Sequence, residues 1–204
     1  MIAVADYGLG NIRAFVNVYK HLNIPCTAAA DTQALLQADK IILPGVGAFD
    51  QAMGMLRESG LLRTIRELVL EKQVPVLGIC VGMQMLASSS EEGSASGLGW
   101  IPGTVKKFDT ATIDHKPKLP HMGWNSVYPD PGNRLFEGIE DGARFYFLHS
   151  YYFNAAGTAY SIARSRYGID FTCAVRNNHI YGVQFHPEKS HRNGIELLKN
   201  FASL

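Results

Sequence analysis

The sequence predicts an α/β protein: an open, mostly parallel sheet covered by helices on both faces, with antiparallel strands added in its second half. Two observations carry this. In the first half, short and nearly continuous apolar runs alternate with helical patterns, as strands buried on both faces of a parallel sheet do. After about residue 99 the runs become aromatic and β-branched and are separated by turn residues, the pattern of added strands, many of them antiparallel.

The elements follow in order. "IAVA" (2–5) reads as a strand and "NIRAFVNVYKHL" (11–22) as a helix opened by Asn11, a favourable N-cap. "PCTAAA" and "KIILPG" (40–45) are strands, and helical patterns occupy about 49–57 and 61–72 before the strand "PVLGI" (75–79). "SSSEEGSASG" (88–97) is a polar loop. "TVKKF", "HMGWNSVY", "RFYFLHSYYF", "AYSIARS", "FTCAVRN" and "HIYGVQF" supply the later strands, and a helix at about 192–202 closes the chain.

A chain of 204 residues is expected to form a single domain, 1–204. A formal charge of +1, with Lys106, Lys107, Lys116 and Lys118 scattered, gives no footprint for nucleic acid or an acidic membrane. The apolar stretches are interrupted before a membrane span is complete, and the N-terminus lacks a signal-peptide pattern. Cys26, Cys80 and Cys173 form neither a disulfide framework nor a Cys-x-x-Cys metal site. A cytoplasmic protein without metal or cofactor is expected.

The chemistry concentrates at Gly78-Ile79-Cys80-Val81-Gly82, a Gly-x-nucleophile-x-Gly corner between a strand and a helix. There the helix N-terminus would favour thiolate, and Gln84, four positions on, would face the same ligand. The alternative is a small buried core cysteine. A base is available at "GVQFHPEKS": His186 and Glu188, two apart, share a face, with Pro187 ending the strand between them. That spacing fits a base with its orienter, and equally a histidine satisfied by a neighbouring acid. The zinc-deaminase reading of His-x-Glu fails for want of Pro-Cys-x-x-Cys. His21, His115, His179 and His191 fall in helical-surface or turn contexts, and His149, on an apolar run, reads as structural.

Acyl chemistry at Cys80 needs oxyanion donors. The Val81 N–H is one, and "LPGVGAF" (43–49), with Gly45 and Gly47, offers a second. "DYGLGN" lacks the third glycine of a dinucleotide fingerprint, so no such cofactor is expected.

Taken together, "GICVGMQML", "VQFHPEKS" and "PGVGAF" resemble the class I (triad-type) glutamine amidotransferases, in the order Cys, His, Glu. "DYGLGNIRA", "EEGSASGLGWIPGTVKKF", "PHMGWN" and "HSYYF" narrow the resemblance to the glutaminase subunits of imidazole glycerol phosphate synthase, over almost the whole chain. The resemblance implies a flavodoxin-like fold and a mechanism. Cys80 attacks the glutamine amide, His186 moves protons, Glu188 orients His186, and Gly47 and Val81 hold the oxyanion. Gln84 and the backbone around Ser150 and Tyr151 bind glutamine. It also implies a heterodimer with a (β/α)8-barrel cyclase subunit that receives the ammonia in histidine biosynthesis, with Asn11, Trp124, Asn125 and Lys189 toward the barrel. No nucleic acid or membrane partner is implied. A turning PGVG peptide would then gate the oxyanion site in the assembled complex. The competing readings are a glutaminase subunit of another synthase, a stand-alone γ-glutamyl cysteine hydrolase, and a non-catalytic flavodoxin-like scaffold.

Overall fold

The computed structural model describes residues 1–114 and 116–204; His115 lies outside the described residues. Its first half is a parallel sheet: β1 (Ile2–Ala5), β2 (Cys26–Ala29), β3 (Lys40–Gly45) and β4 (Val76–Cys80). All four residues of β1 and all five of β4 are buried, because helices cover both faces. Between them run α1 (Ile12–His21), α2 (Thr32–Leu36), α3 (Phe49–Glu58) and α4 (Leu62–Arg66), the last continuing as a wide turn over Glu67–Glu71. Asn11 caps α1, its side-chain oxygen accepting from the Ala14 N–H at 3.3 Å. Asp31 caps α2, a helix too short to show a period in the sequence.

A one-turn helix α5 (Val81–Gln84) follows, then β5 (Ser89–Ser90), β6 (Gly103–Lys107), β7 (His121–Ser126), β8 (Tyr128–Pro129), β9 (Arg144–His149), β10 (Tyr151–Ala155), β11 (Ser161–Tyr167), β12 (Ile169–Asn177), β13 (Ile180–Val183) and α6 (His191–Ser203). The main sheet runs β2-β1-β3-β4-β13-β12-β10-β6-β5, with β11 and β8 branching from β12. It is parallel from β2 to β13 and antiparallel from β13 through β12 and β10 to β6. β7 and β9 form a separate antiparallel ribbon.

The single apolar run "RFYFLHSYYF" is therefore two strands. Ser150 lies between β9 and β10, which join different sheets. β1, β3, β4 and β13 all deliver their carboxyl ends to one edge of the fold, where ligands of open α/β sheets bind. Among the described residues, no helix is long and apolar enough to cross a membrane.

Candidate active site

Cys80 closes β4 with φ 55° and ψ −112°, a left-handed-side conformation that a β-carbon makes costly, by about 1–3 kcal/mol. Close backbone packing enforces it. A β-carbon on Gly82 would lie 1.9 Å from the Leu43 carbonyl oxygen, and one on Gly78 would lie 2.6 Å from the Gly82 oxygen. The helix that follows ends after one turn because the incoming chain takes the carbonyls of the next three residues, which would otherwise continue it. The N–H groups of Leu98, Gly99 and Trp100 donate to the oxygens of Met85, Ala87 and Leu86 at 2.8, 3.0 and 2.9 Å. The helix N-terminus expected at the thiol is present but only one turn long, so side chains supply much of the thiol's environment.

His186 follows β13, which pairs with β4 so that Val183 lies opposite Ile79, one residue short of Cys80. Its backbone N–H donates to the Tyr146 carbonyl at 2.9 Å, and Ser190 Oγ donates to its carbonyl at 2.6 Å, so the ring is held from both sides. Nδ1 donates to Glu188 Oε1 at 2.8 Å, which leaves Nε2 for the thiol, a hydrogen-bond partner of this ring. Burial opposes the imidazolium. The hydrogen bonds and charges of Cys80 and Glu188 outweigh it and push His186 up to about 10. Glu188 Oε2 is buried and has no partner among the described residues.

The sulfur meets two further groups: the Leu148 carbonyl at 3.9 Å and Gln184 Nε2 at 3.7 Å. Gln84 does not present its amide nitrogen to a ligand. Nε2 donates to the Tyr151 carbonyl at 3.1 Å and to Gln184 Oε1 at 3.0 Å. His149, expected to be merely structural, lines the site, with Nδ1 on the Tyr151 carbonyl at 2.7 Å and Nε2 against His121 Nδ1 at 2.9 Å. Burial first, then the neighbouring His121, push His149 down to about 3, so it is neutral.

Around these groups opens a cavity of about 300 Å³ lined by Val46, Gly47, Cys80, Val81, Gln84, Glu92, Leu148, Ser150, Tyr151, His186 and Lys189, among others. This size suits a small polar ligand. Larger clefts border the 129–141 loop and Arg57, Arg63 and Arg66, but neither contains a cysteine or histidine. Gly47 has φ +83°, beside the register pair Gly45–Cys80, so the two expected oxyanion loops leave adjacent strands. Glu92, in the quoted "EEGSASG" segment but given no role by the sequence, accepts from the Phe49 N–H at 2.8 Å while lining the cavity. Asp50 returns the contact, accepting from the Ser94 and Ala95 N–H groups at 2.9 and 3.0 Å. "DYGLGN" also finds its use here: the Tyr7 hydroxyl donates to the Pro44 carbonyl beneath the PGVG turn, and Gly10 packs where a β-carbon would lie 2.8 Å from Pro44 Cβ.

The β7–β9 ribbon turns His121, Phe145, Phe147 and His149 inward and leaves Met122, Trp124 and Leu148 exposed. Met122 pairs with Leu148 and Trp124 with Tyr146 on that outer face. His191 stacks on Trp124 at 5.2 Å and 9°, and Lys189 Nζ lies 5.8 Å over the Tyr146 ring. Asn11 is exposed. Asn125 is half-buried and bonds with its amide to His121 Nε2 at 3.2 Å and the Arg166 carbonyl at 2.8 Å.

Comparison with known proteins gives the family and the fold. The class-I glutamine amidotransferase profile matches residues 3–203. The chain is 55% identical to the imidazole glycerol phosphate synthase subunit HisH of Bdellovibrio bacteriovorus and 52% identical to that of Leptospira borgpetersenii, each over 100% of both chains. It is 45% identical to HisH 2 of Pseudomonas aeruginosa, again over 100% of both. Its fold is shared by a solved glutamine amidotransferase (TM-score 0.74, 20% identity, 100% and 99% coverage). It is shared too by a GMP synthase protein of Thermoplasma acidophilum (TM-score 0.73, 21% identity, 99% and 92% coverage). With a strained cysteine, an imidazolium and a carboxylate gathered at the carboxyl edge of this sheet, the chain belongs to the class-I glutamine amidotransferases, among the HisH subunits of imidazole glycerol phosphate synthase.

Proposed function

We propose that Cys80, His186 and Glu188 hydrolyse glutamine to glutamate and ammonia within one amidotransferase domain, 1–204, and that a cyclase subunit consumes the ammonia. The observation that carries the reading is the hydrogen-bonded series from Glu188 Oε1 through His186 to the strained Cys80 thiol. Cys80 Sγ attacks the side-chain amide carbon, and the Val81 and Gly47 amides receive the oxyanion. His186, charged at rest, gives its proton to the departing nitrogen, leaving a thioester and ammonia. The now neutral ring then takes a proton from water as it attacks the thioester and keeps it as the sulfur departs, which restores the resting imidazolium, while the new carboxyl loses its proton to solvent as glutamate leaves. Glu188 holds the ring for both transfers.

The substrate's α-ammonium needs a counter-charge, and Glu92 is the carboxylate that lines the cavity beside the triad. Gln84 shapes the wall through its aliphatic stem, and Ser150 and Tyr151 supply backbone. The outer face of the β7–β9 ribbon, with Trp124 at its centre and Asn11 and Lys189 beside the same edge, receives the (β/α)8-barrel subunit of a heterodimer. Docking there turns the PGVG peptide into its oxyanion-binding orientation. The complex works in the cytoplasm, in histidine biosynthesis.

The test is Cys80→Ala in the assembled complex. Glutamine-dependent synthesis is abolished while synthesis from added ammonium salts persists. Loss of both would show that this chain does more than deliver ammonia. Glu188→Gln lowers glutamine turnover by about 100-fold, less completely than loss of Cys80.

A further inference from the structure

We propose that the Gln184 carboxamide donates a hydrogen bond to the Cys80 thiolate, and that Gln84 holds it in the donating orientation. The proposal deepens the reading of Cys80 as nucleophile and rests on it. Gln184 is fully buried, with Nε2 3.7 Å from the sulfur. A carboxamide's two ends are nearly the same shape, so packing alone does not choose which one faces the thiol. With oxygen toward sulfur, the amide dipole would repel a thiolate; with nitrogen toward it, an N–H stabilises the charge.

The hydrogen-bond partners make the choice. Gln84 Nε2 is a donor, and it lies 3.0 Å from the far end of the Gln184 amide, which must therefore be oxygen. Gln84 is fixed in turn, because the same Nε2 reaches the Tyr151 carbonyl at 3.1 Å, and a carbonyl only accepts. That carbonyl is a shared anchor. His149 Nδ1 also donates to it at 2.7 Å, so Nε2 of His149 accepts from His121 Nδ1, and Nε2 of His121 accepts from Asn125 at 3.2 Å. Each contact pairs one donor with one acceptor, and no mismatch occurs from Asn125 to the sulfur. Buried networks of this polarity hold side chains in one arrangement. Gln184 therefore acts directly on the reacting sulfur, and Gln84 acts as a positioning residue in addition to its place in the cavity wall.

The alternative is that Gln184 merely fills core space, in which case Met, of similar volume, replaces it without effect on the thiol. The experiment follows the rate of Cys80 alkylation by iodoacetamide against pH on the full chain, read by peptide mass mapping. Iodoacetamide is neutral and small, so its rate follows the thiolate fraction and needs no counter-charge from the cavity wall. For Gln184→Met the rate at pH 7 falls about 3–30-fold and the rate–pH midpoint moves upward. Gln184→Glu keeps the acceptor for Gln84 but sets a carboxylate against the sulfur, and moves the midpoint further. Gln84→Met frees Gln184 to rotate and moves it in the same direction by less.

Cys26, far from the cavity, keeps its wild-type profile in all three. A wild-type Cys80 profile in folded Gln184→Met overturns the proposal. If circular dichroism shows both Gln184 variants unfolded, an unchanged profile in Gln84→Met overturns it instead. Failure of a glutamine-mimicking chloroketone to label wild-type Cys80 is a separate result, which would remove the nucleophile reading itself.

Discussion

His186 is under two opposed pressures: its burial disfavours charge, while the hydrogen bonds and negative charges of Cys80 on one nitrogen and Glu188 on the other favour it. The second pressure wins, so the ring stays an imidazolium until pH nears about 10 and loses its proton only above that. A ring-proton NMR titration of the isolated chain checks the sign. In Cys80→Ala two of the raising contributions vanish, and the midpoint is expected to fall by about one unit or more; an unmoved midpoint would mean that the thiol and ring do not interact. His149, two residues before Tyr151 and also buried, meets no acid and remains neutral, so two buried imidazoles in one cavity hold opposite charge states. The sequence displays the triad because Gly-x-Cys-x-Gly and His-x-Glu are local spacings. It conceals Gln184, Glu92 and the His121–His149 pair, since their partners lie between 28 and 104 positions away.

At the scale of elements, the elbow depends on contact between backbones. Gly82→Ala sets a methyl group against the Leu43 carbonyl at 1.9 Å, and neither strand β3 nor the turn can yield without breaking the sheet. A loss of about 3 kcal/mol or more is expected in urea unfolding; a loss under about 1 kcal/mol would show that the turn relaxes freely. The strands 2–5 and 40–45 were legible to the residue because, Lys40 at the start of the second apart, both are apolar runs buried on both faces. The single turn of α5 was not, because what ends it is the returning 97–101 backbone and no breaker in its own sequence. The division of the aromatic run at Ser150 was hidden for a related reason: the pairing partners β7 and β6 decide it, and both strands have the same composition.

At the scale of the whole molecule, the chemistry and the docking face share one ribbon. If Trp124 anchors the barrel subunit, Trp124→Ala weakens association by about 30-fold or more without unfolding the chain, as truncating a central aromatic does. Titration calorimetry with the cyclase subunit measures this; unchanged affinity would move the interface elsewhere. The ribbon is a single peptide layer: Leu148 turns its side chain outward while its carbonyl touches the Cys80 sulfur. A compound wedged under Leu148 therefore acts on the nucleophile through the backbone, by shifting the carbonyl that the sulfur touches. It need not look like an amino acid.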